Sequence, residues 1–273
     1  MKYFLIRRRL RRLFPGTPIP VQLSFGSWWL AYDSALDGSL AGGNFENAES
    51  RFLLRFLQLG MTVLDIGAHH GYYTLLLSKA VGSRGKVIAF EPSPRERIRL
   101  RHHVWLNCCK NVQIESLALG SSNGEAELYL VEGAEDWCNS LRPPTVRAST
   151  KIVGVCVGSL DEYISSKGLG PIDFIKLDVE GAELDVLRGA KNLLASGKRP
   201  ALLTEVYDIR TEPWGYRAHE IVRLLDQAGY LWFAVSEDGS LHRIEAHLEV
   251  YDANLVAIPK EQAKNFVAFE DEG

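Results

Sequence analysis

No apolar run long enough to cross a bilayer, roughly eighteen residues, occurs in this 273-residue chain, so no segment reads as a spanning helix. The first residues lack the apolar core and small-residue cleavage site of a secretory signal, so export is not expected and a cytoplasmic location is. Cysteine is scarce. Cys108, Cys109, Cys138 and Cys156 make no C-x-x-C pair, a bridge between the adjacent Cys108 and Cys109 would be strained, and all read as buried thiols. Beyond Phe14 no basic stripe carries interleaved aromatics and the formal net charge is -3, which argues against a nucleic-acid partner. What is present is an ordinary balance, 46% hydrophobic and 24% charged, enough for a full core in one large domain, or one domain with a modest extension.

The segment VLDIGAHHGYYT, Val63 to Thr74, carries the most information. Met61 to Ile66 suits a parallel strand covered on both faces, with Asp65 at its carboxyl end, where open α/β sheets place ligands. Gly67 and Gly71 remove side chains, which lets a ligand approach the backbone and the next helix pack close to the strand. Tyr72, Leu75, Leu76 and Lys79 then recur at helical spacing. The run Gly67-Ala68-His69-His70-Gly71 lacks the second glycine by which G-x-G-x-x-G admits a pyrophosphate, so a nicotinamide cofactor is disfavoured. KVIAFEP, Lys86 to Pro92, is a second apolar strand ending in Glu91, placed to accept hydrogen bonds from two ribose hydroxyls. A sulfonium nucleoside has a ribose and no phosphate, so Asp65 can meet its ammonium end without repulsion. These charges favour S-adenosylmethionine over NAD. The competing explanation is that Asp65 caps the turn and Glu91 is solvated.

Residues 1–20 form an arm. Met1 to Phe14 sets Lys2, Arg7, Arg8, Arg9, Arg11 and Arg12 among apolar residues, a pattern that suits peripheral contact with an anionic membrane and equally a frayed terminus. Residues 21–60 form an extension in which Val21 to Phe45 read as short strands or loops. Ala48 to Leu59 then read as a lead-in helix, with Asn47 as N-cap and Gly60 as its stop. The main domain spans 61–260, and 261–273 is a polar tail. Arg95 to Asn107 reads as a helix and Asn111 to Leu119 as a third strand, so the β-α-β-α-β order sets a parallel half-sheet. An insertion near 122–157 holds two extended segments around a polar loop with Trp137, Asn139, Ser140, Pro143 and Pro144; substrate recognition and a plain edge hairpin both suit it. His102 and His103 read as a solvated helix face, and His219, His242 and His247 receive no role.

A second constellation is IDFIKLDVEGAELDVLRGA. Ile172, Phe174, Ile175 and Leu177 make a buried strand, Asp178 and Glu180 follow at its carboxyl end, and Gly181 permits the turn. Leu184, Leu187, Ala190 and Leu194 then give a helical stripe. PALLTEV ends another strand at Glu205. The ligand edge therefore carries Asp65, Glu91, Asp178, Glu180 and Glu205, a costly grouping unless cations, donors or protons answer it. Trp137, Trp214, Tyr207 and Tyr216 offer stacking faces for a sugar, or belong to the core.

Taken together, VLDIGAHHGYYT, VIAFEPSP, VQIESLALG and above all FIKLDVEGAELDVLRGA resemble the FkbM family of S-adenosylmethionine-dependent methyltransferases, from about Ala48 to Asn254. The resemblance implies a class I methyltransferase fold: α/β, Rossmann-like, with a seven-stranded, mostly parallel sheet and helices on both faces. Its final antiparallel hairpin would be Tyr230 to Val235 with Asn254 to Ile258. It also implies an enzyme that O-methylates a hydroxyl of a sugar, a glycan or a secondary metabolite. Carboxyl O-methylation of a small molecule, or a non-catalytic nucleoside-binding protein of the same fold, are the alternatives. By position, Asp65, Gly67, Ala68 and Gly71 would hold the methionine part and Glu91 the ribose. Pro92 and Ser93 would shape the ribose pocket, Ala118 and Leu119 would lie near the adenine, and Asp178 would face the methionine amine or the reacting centre. His69 stands where the family usually has asparagine, and reads first as a cofactor donor and second as a base. Asp178, Glu180, Glu205 and His69 are the candidate bases for a hydroxyl nucleophile. The preferred reading uses no metal; a divalent cation such as Mg²⁺ on Asp178 and Glu205 is the alternative.

Overall fold

The computed structural model describes residues 17–32, 35–43, 45–132, 138–143, 149–245 and 250–263. The readings made of Met1 to Phe14, Trp137, Pro144 and His247 lie outside these residues. Strands β1 (Ile19–Gln22) and β2 (Trp28–Ala31) pair as an antiparallel lead-in hairpin, followed by α1 (Ala35–Gly42), a helix for which no clean periodicity gave warning. Helix α2 (Asn47–Phe56) buries Phe52, Leu53 and Phe56. Its N-cap is Glu46, at φ 42°, and not Asn47, whose side-chain amide donates to the Gly43 carbonyl.

The expected parallel half-sheet follows as β3 (Thr62–Ile66), α3 (Tyr72–Val81), β4 (Lys86–Phe90), α4 (Pro94–Leu106) and β5 (Val112–Glu115). The third strand is shorter than its sequence pattern, because β5 stays in the sheet while β6 (Ala118–Leu119) leaves it. The insertion supplies β7 (Gly124–Val131) and β8 (Thr150–Gly158), an antiparallel pair that takes β6 on the open edge of β8 to make a separate three-stranded sheet. Then come α5 (Leu160–Ser166), β9 (Phe174–Leu177), α6 (Glu183–Arg188), α7 (Lys191–Leu194), β10 (Ala201–Tyr207), α8 (Asp208–Thr211) and α9 (His219–Gln227). Strands β11 (Tyr230–Val235), β12 (Leu241–Ile244) and β13 (Asp252–Pro259) precede α10 (Lys260–Ala263).

The main sheet runs β12-β11-β13-β10-β9-β3-β4-β5, so it has eight strands, not the seven expected. The closing pair does form, with Leu231 opposite Ile258, but β12 intervenes in sequence and adds an antiparallel edge beside β11. Its residues LHRI are two half-buried apolar ends around exposed His242 and Arg243, too weak an alternation to announce a strand. Successive residues of the central strands serve opposite layers. Val63, Val87, Phe174, Leu203 and Val256 pack with α2, α3 and the lead-in hairpin, whereas Leu64, Ile88, Ile175, Leu202 and Leu255 pack with α5, α6 and α9.

Two glycines fix how the strand ends meet. Gly67 has φ +86°, and a Cβ there would lie 1.7 Å from the Asp178 carbonyl oxygen. At Gly71, φ +94°, a Cβ would lie 2.4 Å from Leu100 Cδ1. Both gaps are filled by the protein itself, so these glycines serve the packing of chain on chain. Of the cysteines only Cys138 is buried; Cys108 and Cys156 are exposed, Cys109 is half-buried, and none of the four is in a disulfide among the described residues.

His103 is wholly buried, contrary to its reading as part of a solvated face, whereas His102 is exposed. The His103 ring stacks on Trp29 at 3.9 Å, donates from Nδ1 to the His70 carbonyl at 2.7 Å, and accepts the Leu30 amide at Nε2, 3.1 Å away. A carbonyl can only accept and an amide only donate, so these partners select the neutral Nδ1–H tautomer. Burial lowers its pKa to about 4.

Two predictions follow from this packing. Gly67→Ala drives a methyl into backbone and should cost about 3 kcal/mol or more, whereas Gly71→Ala meets the tip of a leucine and should cost about 1–2 kcal/mol. Denaturant unfolding of the two variants measures this, and a Gly67→Ala loss no larger than that of Gly71→Ala would contradict it. For His103 the folded pKa lies below the unfolded value of about 6.5, so the unfolded chain binds the extra proton. Its contribution is present above about pH 6.5 and is lost as pH falls through about 4, amounting to about 3 kcal/mol. His103→Gln, which cannot titrate, should flatten that part of the acid limb in unfolding measured from pH 7 to 4.

Candidate active site

The strand order reverses between β3 and β9, with β4 and β5 on one side and β10 on the other, which leaves a crevice at the carboxyl ends of the parallel strands. A cavity of about 410 Å³ occupies it, within the usual range for small-molecule sites. Its wall brings together ten of the expected residues: Gly67, Ala68, His69, Glu91, Pro92, Ala118, Leu119, Asp178, Glu180 and Glu205.

Asp65, Gly71 and Ser93 do not line it. Asp65 is wholly buried, accepts a hydrogen bond from Thr74 Oγ1 on α3, and leaves Oδ1 without a hydrogen-bond partner. Its side chain shares the inner face with Val63, so it points beneath α3, and burial raises its pKa. Ser93 instead caps α4, accepting the Glu96 amide.

Glu91 is 6% exposed and not solvated. The His69 amide donates to its Oε2 at 2.6 Å and the Ser93 amide to its Oε1 at 2.8 Å, which fixes the carboxylate and leaves each oxygen a second lone pair. Burial first, then the neighbouring Glu96, pushes its pKa to about 8. His69 aims its amide this way by adopting φ 48°, and its ring lies 3.8 Å from that of His70. Toward β5 the wall is apolar, with Phe90, Leu117, Ala118, Leu119 and Leu128.

Toward β9 and β10 the wall is acidic, and several of its members escaped the sequence reading. Lys176 Nζ stands 2.7 Å from Asp178 Oδ2 and over the Tyr73 ring at 4.7 Å. Glu46 accepts from the Tyr73 hydroxyl, and burial pushes its pKa to about 7. Arg210 Nε lies 3.1 Å from Glu180 Oε2; burial, then Asp178, raises Glu180 to about 8. Burial, then Asp178, also holds Glu205 well above the ordinary range. Behind this wall Glu183 accepts the Val179 and Gly181 amides at 2.9 and 3.3 Å, and burial raises it to about 7. Lys176 was discoverable, since the two-residue spacing to Asp178 in a strand puts both on one face. Glu46 and Arg210 come from distant segments and carry no local signal.

Tyr207, Trp214 and Tyr216 do not line the cavity. Trp214 donates to the Glu180 carbonyl at 3.2 Å and Tyr216 to the Gly181 carbonyl at 2.6 Å, so both pin the turn after β9. The insertion does reach the site: Asn139 and Leu141 line the cavity, and Ser140 Oγ donates to the Glu180 carbonyl at 3.0 Å. Among the described residues no helix is long and apolar enough to cross a membrane.

The chain is similar in sequence to known methyltransferases. The 2-O-methyltransferase NoeI of Sinorhizobium fredii is 28% identical over 158 residues, 54% of this chain and 63% of that protein. Methyltransferase 1 of Beauveria bassiana is 27% identical over 147 residues, 46% of this chain and 57% of that protein. The chain thus spans less than two thirds of the length of either relative. The crystal structure of methyltransferase FkbM from Methylobacillus flagellatus superposes with a TM-score of 0.46 at 17% identity, covering 74% of this chain and 44% of that one. The sequence profile of the Methyltransferase FkbM domain matches residues 65–231, more than half of the chain, from the Asp65 strand end through the acidic wall to β11, and the protein therefore belongs to the FkbM methyltransferase domain family.

Proposed function

We propose that this protein transfers a methyl group from S-adenosylmethionine to a hydroxyl oxygen of a sugar, glycan or hydroxylated metabolite. The observation that carries the reading is the Glu91 carboxylate, held by two amides in the wall of a cavity that is apolar on one side and acidic on the other. Two ribose hydroxyls take the free lone pairs of Glu91, the adenine lies along Ala118 and Leu119, and the cationic methionine end meets the acidic wall. A pyrophosphate would meet that same wall as an anion, which disfavours NAD.

The reaction is an in-line displacement. The substrate oxygen forms a bond to the methyl carbon while the carbon–sulfur bond breaks, its electron pair stays on sulfur, and the hydroxyl proton passes to a base. Positioning carries most of the rate. Asp178, Glu180 and Glu205 line the acidic wall, and His69 lies in the turn after β3. On this reading the three carboxylates and the His69 ring are the candidate proton acceptors. The same acids repel a carboxylate substrate, which favours hydroxyl over carboxyl methylation. The relative NoeI, a 2-O-methyltransferase, is of that class.

Calorimetric titration tests the cofactor class. S-adenosylhomocysteine should bind with a Kd in the micromolar range and NADH should not; the reverse would overturn the reading. Glu91→Ala, by removing two charge-assisted hydrogen bonds to the ribose, should weaken S-adenosylhomocysteine about tenfold or more. An unchanged Kd would sink the ribose assignment.

A further inference from the structure

Three carboxylates meet behind and along the acidic wall, and of the three Asp178 alone has an ion pair among the described residues, with Lys176. One oxygen from each of Asp178, Glu183 and Glu205 lies within 4.8 Å of the other two. Glu183 is 1% exposed, and the amides of Val179 and Gly181 fix its Oε1 while Oε2 has no hydrogen-bond partner among the described residues. Glu205 Oε2 is likewise buried and unpartnered. Of the neighbouring basic groups, Lys176 pairs with Asp178 Oδ2 at the edge of the group and Arg210 with Glu180, which leaves the Glu183 and Glu205 Oε2 atoms unanswered.

We propose that Asp178, Glu183 and Glu205 form a site for a divalent cation of the oxygen-seeking class, Mg²⁺, Mn²⁺ or Ca²⁺. Such ions hold oxygens at about 2.0–2.6 Å, so opposite ligands stand about 4–5 Å apart, and the three oxygens already lie within that span. The carboxylates differ in placement. Asp178 and Glu205 belong to the cavity wall whereas Glu183 does not, so Glu183 is a buried anchor and the remaining coordination positions open toward the cavity. Buried carboxylate oxygens without donors are costly, and a dication answers them where the engaged Lys176 and Arg210 do not. A hydroxyl or diol oxygen is the hard ligand that suits the open positions. In that respect the inference rests on the methyl-transfer reading; the ion site itself does not.

The test uses the full chain, dialysed against EDTA and titrated with Mn²⁺ by electron paramagnetic resonance, with Mg²⁺ as competitor and thermal melting alongside. One Mn²⁺ per chain should bind, Mg²⁺ should displace it, and either ion should raise the melting temperature. Glu183→Gln keeps the Oε1 acceptor and removes the charge; it should weaken Mn²⁺ at least tenfold and abolish the metal-induced rise. Glu205→Gln should do the same, and carries the test if Glu183→Gln fails to fold. Absence of Mn²⁺ binding, or equal binding in wild type and variants, overturns the site and leaves the acids to share protons. Titration of the same samples with S-adenosylhomocysteine separates the two ideas. Nucleoside binding without Mn²⁺ overturns the ion site alone, and Mn²⁺ binding without nucleoside supports the ion site and overturns the methyl-transfer reading.

Discussion

The ammonium of Lys176 is the interaction around which the acidic half of the site is built. It sits inside β9, between Phe174 and Leu177 in the chain, in register with Asp65 on one side and Leu203 on the other. Burial opposes its charge, but Asp178, Asp65 and Glu46 outweigh that and hold its pKa above the ordinary value. Tyr73 lies beneath the ammonium and also donates to Glu46, so one aromatic ring ties the lead-in helix to the centre of the sheet. Breaking a buried pair by removing one partner costs about 3–5 kcal/mol, so these groups constrain one another as a set and cannot change singly without penalty.

The backbone follows the same constraint. Of the described non-glycine residues with positive φ, Glu46, His69 and Glu180 all line the cavity, and Cys108 alone lies elsewhere. The left-handed region costs a residue with a Cβ about 1–2 kcal/mol, and each of the three has a fixed partner to hold it there. Glu46 has Tyr73, the His69 amide has Glu91, and Glu180 has Arg210. Gly67 allows two of these turns, those after β3 and β9, to approach within backbone contact. Strain therefore gathers where side chains must be aimed, while the strands behind keep regular register.

Sequence pattern reveals much of this and conceals a definable remainder. Apolar runs ending in acids locate β3, β4, β9 and β10, because strands covered on both faces leave polar groups only at their ends. The same double coverage hides orientation. Asp65 and Glu205 both lie within their strands, yet one points beneath α3 and the other into the cavity, and no alternation of apolar with polar residues distinguishes them. His103 reads as polar surface because α4 is charged on most sides, and its burial depends on Trp29, seventy-four positions earlier in the chain. Glu46 and Arg210 reach the site through tertiary packing alone. Strand β12 escapes notice because an edge strand needs only two half-buried residues to form.

The charge balance of the acidic wall bears on how one crevice can serve two ligands. Glu46, Asp178, Glu180 and Glu205 line it, Asp65 and Glu183 stand behind it, and Lys176 and Arg210 are the basic side chains among them. Were all six acids ionised, the excess would be large for so small a volume; burial first, and the neighbouring acids after it, raise the pKa values of Glu46, Glu180 and Glu183. A cationic cofactor end and a dication would each lower that excess. On the proposed readings, the excess of acid suits a wall that holds a sulfonium nucleoside and polarises an acceptor oxygen at once, and an apolar replacement of any one carboxylate would unbalance both tasks.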